Sequence, residues 1–553
     1  MNLRTPAIYG FVILGSLAAV AFLGITRLSE TFSGDQAMFT VFALAIADGA
    51  VLYRDIWDVK QPGIFLFYLA GGTLFGFSEL GIHVFELVFW LLFSVVLIRG
   101  LNWYFRYWPL AAATPLFTVG VYYFAADSWR MTQVETLVGA PILYTVLVLL
   151  SAVHRSPGRV SRSMFFLGGL FCGAVILFKS AYLIVVVSIF AFLLLYYFRR
   201  LQTAPFTECF LAAAIFAAGA ALPLLVTLVY FACHDTLPEL FYVTFLYPGE
   251  SVSMFSGWHR MRFLRLGLVW FFWNFLPIIG LGSIALVAGS ARLLAVQRTH
   301  GNARASRLMP ATRSGLFSVT LVLWMVVGSV AVLLQAASWW GYHLMLFFIP
   351  LGLLGVKGVE HIWDAVISLS GRTSRPRLAV AVAVVAILTF FAFTQLDNSL
   401  EMAKRAADRK GIKVFRPGFF QPAGDRIAKY EQVRQALAAL PMAENESPDI
   451  FACANPLYYY LADTYPRIAS NGWSPEFFPP RQWRRLEKDL AEGMPKFIVI
   501  DRPCKKLISI NSVATLELLS DSYTEITVPD KSLWYIRKDA ASNGLDDGLN
   551  IYR

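Results

Sequence analysis

Runs of about twenty apolar residues, parted by short polar stretches, recur along roughly the first four hundred positions of the chain. A hydrocarbon core about 30 Å thick needs about twenty such residues in a helix. The runs at 7–25, 80–98, 109–125, 134–153, 164–178, 180–198, 207–232, 264–290, 314–334, 342–356 and 377–395 are therefore expected to cross a bilayer. Each is expected to be helical, because lipid offers no partner to an unpaired backbone amide. Segment 63–78 is apolar but short and rich in glycine, so it reads as an interfacial or re-entrant helix.

From about Asp397 the pattern changes. Segments 401–412 and 424–440 carry apolar residues on one helical face, and 478–493 reads as a third helix. Segments 449–454 (DIFACA) and 496–501 (KFIVID) read as buried strands, and 521–538 as a closing hairpin. The tail, 539–553, reads as loose. The expected fold is an α-helical polytopic membrane protein with about eleven crossings over 1–395, then a small α/β domain over 396–553.

Composition agrees. The 553 residues are 57% hydrophobic and only 15% charged, with 46 Phe, 23 Tyr and 15 Trp. Soluble domains carry about a quarter charged residues, so a soluble enzyme is excluded. So is a disordered chain, which cannot carry this much apolar surface.

The charges fall unevenly. Arg99, Arg106, Arg155, Arg199, Arg200, Lys357 and other basic residues lie in connections on one side of the predicted crossings, opposed there by Glu208, Glu360 and Asp364. The other side holds Asp35, Asp48, Asp55, Asp58, Glu79, Asp127, Glu135, Asp235, Glu239 and Glu250. Basic connections stay cytoplasmic, so the N-terminus is expected inside and the C-terminal domain outside. This asymmetry accounts for the net charge of +11 and makes nucleic acid an unsuitable partner. The first run follows Arg4 like a signal sequence, but no A-x-A-like cleavage site follows, so an uncleaved first helix is expected.

The five cysteines show no metal-ligand spacing. Cys172, Cys209 and Cys233 read as packing residues. Cys453 and Cys504 share the C-terminal domain, where an oxidising compartment permits a bridge, although sequence does not place the sulfurs in range. That domain has no glycine-rich phosphate loop, zinc spacing or nucleophile elbow, and reads more readily as a cap than as a separate active site.

Candidate chemistry concentrates in the first outward loop, within 26–79. Residues 26–62 (TRLSETFSGDQAMFTVFALAIADGAVLYRDIWDVKQP) gather Asp35, Asp48, Arg54, Asp55, Asp58 and Lys60. Residues 35–48 can form a helix with Asp35 at its N-terminal end, where the dipole favours a carboxylate. The plainer alternative is a solvated connecting loop.

The succession Gly34-Asp35-Gln36, Asp48-Gly49, Leu52-Tyr53-Arg54-Asp55 and Asp58-Val59-Lys60-Gln61-Pro62 resembles GT-C membrane glycosyltransferases. The nearest branch is that of the bacterial lipid A aminoarabinose transferase and the protein O-mannosyltransferases. The chain departs from the pattern twice, with Gln36 for the usual Glu and Gln61 for the first Pro. The resemblance implies a GT-C-like membrane domain that moves a sugar from a polyprenyl-phosphate donor to an acceptor hydroxyl. That reaction needs a base at the acceptor and cationic or hydrogen-bonding groups around the departing phosphate. By the resemblance, Asp35 is the candidate base and Lys60 the candidate phosphate contact, with Arg54 assisting. Asp55 and Asp58 either touch substrate or hold the two cations in place.

Five further residues stand as substrate-binding candidates, each beside a plainer reading. Glu135, at the start of an apolar helix, is costly there unless paired. Equally, it is a helix N-terminal carboxylate. Lys179, between two apolar runs, either snorkels or faces a cavity. Loop 233–262 suits an interfacial helix and lid, with Arg260 anchoring headgroups or binding phosphate. Tyr342 and His343 open a late span behind Trp339 and Trp340, where an aromatic belt is the competing account.

The leading expectation is an inverting, polyprenyl-phosphate-sugar-dependent hexosyl- or pentosyltransferase at the outer face of a bacterial inner membrane. It would act in lipopolysaccharide or cell-wall glycan biosynthesis, with a lipid or glycan acceptor. The family includes metal-dependent members, but this loop has no spaced set of oxygen ligands, so no obligatory metal or other cofactor is expected. A flippase for a lipid-linked sugar would need internal repeats and broken mid-membrane helices. A glycan polymerase or ligase would place its Arg and His in a large late loop.

Overall fold

A computed structural model of the chain describes residues 6–155, 161–201, 206–254, 257–300, 313–335, 339–369, 423–442 and 447–542. The expected crossing at 377–395 and the helix at 401–412 lie outside them. Two compact units emerge: Met1–Ser29, His83–Val226 and Met261–Arg409 form one, and Glu30–Ile82, Thr227–Arg260 and Lys410–Arg553 form the other. The first outward loop thus groups with the C-terminal region.

In the first unit the described apolar runs are helices, as lipid requires. Among the described residues, seven runs are long and apolar enough to cross a bilayer. One of these, 162–199, holds two antiparallel helices, Arg162–Lys179 and Leu183–Leu201, joined by the 3-10 turn Ser180–Tyr182. Phe165, early in the first, lies 6.5 Å from Tyr197, late in the second, which only a hairpin allows. The break falls at Lys179, whose backbone is extended.

The run at 108–125 is helical throughout, but Pro115 is followed by a π-turn over Leu116–Gly120. Glycine lets helices touch backbone to backbone. Gly169 lies on the Phe216 carbonyl while Gly219 lies on that of Phe166, and Gly352 meets the Phe117 carbonyl. The predicted span 264–290 belongs to a longer helix, Gly257–His300, because helical hydrogen bonds continue past the apolar stretch.

Lys357, grouped by sequence with the basic connections, is 1% exposed. Its Nζ donates to Glu360 and to Ser314 Oγ, both at 2.7 Å, and to the Tyr104 carbonyl. Glu360 accepts from the Arg106 amide, and Asp364 accepts from the Arg106 guanidinium at 3.1 Å. These pairs offset the cost of burying charge.

In the second unit, Pro62–Phe75 spans 14 residues, about 21 Å, too short to cross a bilayer. It packs on Gly34–Ala47, with Phe39 and Phe65 edge to face at 5.8 Å. Loop 233–262 forms short pieces rather than one interfacial helix: Leu237–Phe241, Tyr242–Leu246 and Tyr247–Ser253, with 257–262 joining the long helix. Pro238 and Pro248 each sit at the start of a helical piece, where a proline's missing N–H costs nothing.

The sheet comprises β1 (Ile450–Cys453), β2 (Phe497–Ile500), β3 (Tyr523–Ile526) and β4 (Leu533–Arg537), in the order β1-β2-β4-β3. β1 and β2 are parallel and buried throughout, as their unbroken apolar sequences require. β3 and β4 form the expected antiparallel hairpin. Helix Pro480–Gly493 connects β1 to β2 and buries Trp483, Leu486 and Leu490 in the core beside Phe451 and Ile498. Helices Arg502–Asn511 and Val513–Ser522 were not read from the sequence. Cys453 and Cys504 are bridged, with Cα atoms 6.0 Å apart.

Candidate functional site

Asp35 opens the Gly34–Ala47 helix. The Gln36 side chain, fully buried, accepts from the Ser33 amide at 2.9 Å. The residue that departs from the family pattern thus ties down a helix N-terminus, a task glutamine performs as well as glutamate. Asp35 itself is half-buried, and its Oδ1 accepts from the Trp473 indole at 2.7 Å.

The stretch 51–60 is a tight, buried turn. Tyr53 adopts φ 73°, a left-handed backbone unusual for a bulky residue, and is fully buried. Its ring stacks on Phe231 and its hydroxyl donates to the Lys60 carbonyl at 2.7 Å. The Lys60 amide donates to Asp58 Oδ1 at 2.8 Å, so Lys60 is held at both ends of its backbone.

Asp58 is 6% exposed. Burial pushes its carboxyl up to about 6; the Lys60 charge and amide pull against that, and repulsion from Asp35 adds to it. Asp35, Asp58 and Lys60 are therefore electrostatic neighbours. Arg54 is exposed and pairs with Asp55 at 2.9 Å, while Asp55 also accepts from the Val51 amide at 2.7 Å. The Arg54 hydrogen bond holds the Asp55 carboxyl below its ordinary value. Asp48 is exposed at the end of its helix.

Residues not singled out in the sequence complete the arrangement. Asn471 donates to the Trp57 carbonyl at 2.5 Å, and the Trp57 amide donates to the Ala469 carbonyl. The Trp57 indole donates to Glu239, which also takes Arg481 at 2.8 Å and Arg485 at 3.4 Å. Arg485 reaches the Tyr53 carbonyl at 3.2 Å. The C-terminal region thus grips both ends of the 53–57 turn. The one local signal was Asn471-Gly472, a turn dipeptide directly ahead of Trp473.

The helical unit holds a second cluster. Glu135 is 2% exposed at the start of Val134–Leu137. Its Oε1 takes Lys179 Nζ at 2.6 Å and lies 3.5 Å from His343 Nε2 and 3.4 Å from the Tyr182 hydroxyl. Tyr342 packs edge-on against His343 at 4.7 Å. Lys179 thus pairs with the carboxylate, answering the cost that marked Glu135 in the sequence. Nearby, Arg130 pairs with Asp127 at 2.7 Å and lies 3.7 Å over the Trp270 ring.

Glu86, overlooked in the sequence although it is an acid inside an apolar helix, is fully buried. It accepts from the Tyr122 hydroxyl and from the Thr132 amide, the latter at 3.1 Å, tying down the loop that precedes Glu135. The Arg260 side chain lies outside the described residues. Among the described residues, no three His, Cys, Asp or Glu side chains gather to hold a metal ion.

No family model and no curated protein matches the sequence. Solved structures do match. The crystal structure of ArnT from Cupriavidus metallidurans bound to undecaprenyl phosphate is similar with a TM-score of 0.54 and 14% identity, covering 96% of this chain and 99% of that one. The apo crystal structure of the same protein gives 0.52 and 16%, covering 96% and 98%. Matched over 96% of its length, this chain has the GT-C membrane fold of ArnT, the fold that the first-loop motifs implied.

Proposed function

We propose that the protein is a glycosyltransferase of the outer face of the bacterial inner membrane. It takes a sugar from an undecaprenyl-phosphate donor and passes it, with inversion, to a hydroxyl of a lipid or glycan acceptor. The observation that carries this reading is the likeness over 96% of the chain to ArnT, a protein crystallised with undecaprenyl phosphate. Two features support it. The Asp35 carboxylate and the Lys60 backbone are each held by hydrogen bonds, and the bridge between Cys453 and Cys504 suits an oxidising compartment.

In the proposed reaction the acceptor oxygen attacks the anomeric carbon, and the bond from that carbon to the phosphate oxygen breaks. Asp35 takes the hydroxyl proton, and undecaprenyl phosphate leaves as an anion facing the Lys60 ammonium. Lys60 suits that task as a compact charge with rotatable donors. Asp58 and Asp55 serve the two cations rather than the sugar: one holds the Lys60 backbone, the other the Arg54 guanidinium. In the helical unit, the proposed substrate contacts are Lys179, Tyr342 and His343, with Glu135 as their neutralising carboxylate. Arg260 is carried as a further phosphate contact.

The test is transfer of radiolabelled sugar from undecaprenyl phosphate to an envelope lipid and glycan extract by the purified protein. Wild type should transfer, and Asp35→Asn, with an unchanged melting temperature, should not. Equal transfer by both would remove Asp35 from its role; none by either, across the available lipid-linked sugars, would remove the activity.

A further inference from the structure

Three observations converge on one side chain of the C-terminal domain. The Trp473 indole N–H donates to Asp35 Oδ1 at 2.7 Å. The Trp473 ring lies so close over Gly34 that a Cβ there would collide with it. The turn carrying Trp473 is itself fixed. The Trp473 amide donates to Asn471 Oδ1 at 2.9 Å, and Asn471 is anchored on the Trp57 carbonyl. Gly472 is pressed against the backbone of bridged Cys453, and Ser474 turns the chain through φ 56°.

We infer that Trp473 is a positioning residue for Asp35, so the C-terminal domain completes the active site instead of only covering it. This rests on the assignment of Asp35 as the base. A carboxylate on a helix N-terminus has rotational freedom about two side-chain bonds. A base has to meet the acceptor hydroxyl within hydrogen-bond reach. An indole donor on one oxygen selects one rotamer and leaves the other oxygen to take the proton. Asp58 and Glu476 both feel the Asp35 charge, so the neutral indole N–H is a donor set among repelling carboxylates. Glycine at 34 is the device that admits the ring.

The experiment uses the full-length protein in detergent with the undecaprenyl-phosphate sugar assay. Trp473→Phe removes the indole donor together with the edge of the ring that lies over Gly34. It should lower kcat about tenfold, the size expected for one hydrogen bond to a charged group, and leave KM for the donor lipid within about twofold. Gly34→Ala, which displaces the ring, should do the same. Added to Asp35→Asn, Trp473→Phe should cost nothing more.

An unchanged kcat in Trp473→Phe, or a loss that multiplies with that of Asp35→Asn, overturns the inference. A second readout is independent of activity. The indole 15N–1H resonance of Trp473, assigned by its disappearance in Trp473→Phe, should move in Asp35→Asn. If Asp35→Asn transfers sugar normally, the positioning role falls with the base assignment. A moved resonance then places the error in the chemistry, and an unmoved one places it in the geometry.

Discussion

The hydrogen bond from Trp473 to Asp35 joins residues 438 positions apart. It puts a side chain of the C-terminal domain on the candidate base. Replacing Asp35 with Asn keeps an oxygen for the indole but removes the proton acceptor. Transfer should fall about 10²- to 10⁴-fold, the usual worth of a positioned base, while melting temperature stays put. Initial rates at saturating donor measure this.

Lys60 is assigned to the leaving phosphate. Lys60→Gln keeps the backbone contacts and a polar side chain one atom shorter, while deleting the charge. Undecaprenyl phosphate should bind about tenfold or more weakly, in line with about 1.5–3 kcal/mol for a charge-assisted hydrogen bond. Direct titration of the lipid into the detergent-solubilised variant decides it, and unchanged affinity would reassign Lys60 to structure.

Asp58 makes stability depend on pH in a defined direction. Its carboxyl rises from 3.8 to about 6 on folding, through burial. The folded state therefore keeps a proton that the unfolded state releases between those values. This contribution is fully present below about pH 4 and is lost as pH rises through 6. Asp58→Asn, which does not titrate, should gain on wild type by about 1.4 kcal/mol from pH 5 to pH 8. Parallel denaturation series at the two pH values test the sign.

The bridge between Cys453 and Cys504 closes 51 positions of chain. Constraining a loop of that length in the unfolded state is worth about 4 kcal/mol in the chain-entropy model. Mild reduction, or Cys453→Ala with Cys504→Ala, should therefore lower the melting temperature of the C-terminal domain. Because Gly472 lies on Cys453, the Trp473 indole resonance should broaden at the same time.

The Glu135 and Lys179 pair is unequal, with Glu135 2% exposed and Lys179 24%. Lys179→Met takes the nearest cation from a buried carboxylate that keeps Tyr182 and His343 beside it, and should destabilise by about 3 kcal/mol. Glu135→Gln leaves the charge on the more accessible partner and should cost less. The double variant should recover most of the stability and none of the proposed substrate contact. Thermal unfolding of the three variants separates these outcomes.

What the sequence determined by itself is the local part. Apolar runs longer than a bilayer's width have to become helices wherever they pack, because their amides have no other partner. Thus the short apolar helix expected within 63–78 is found at Pro62–Phe75, and the hairpin around Lys179 is legible as two runs broken by one charge. The first-loop motifs lie within thirty positions and point to the fold that the ArnT structures share.

Only the tertiary structure decided which side chains meet. Nothing near Asp35 in sequence names Trp473, and nothing near Trp57 names Glu239 or Asn471. The Cys453–Cys504 bridge was open until β1 and the helix at 502–511 were placed side by side. Lys357 shows the same limit in reverse: the sequence places it among the basic connections, yet Glu360, Ser314 and the Tyr104 carbonyl hold it in the interior. Backbone hydrogen bonding and apolar run length depend on neighbours a few residues away. Hydrogen bonds and ion pairs between side chains act over about 3 Å, so they exist only once the fold has brought distant residues together.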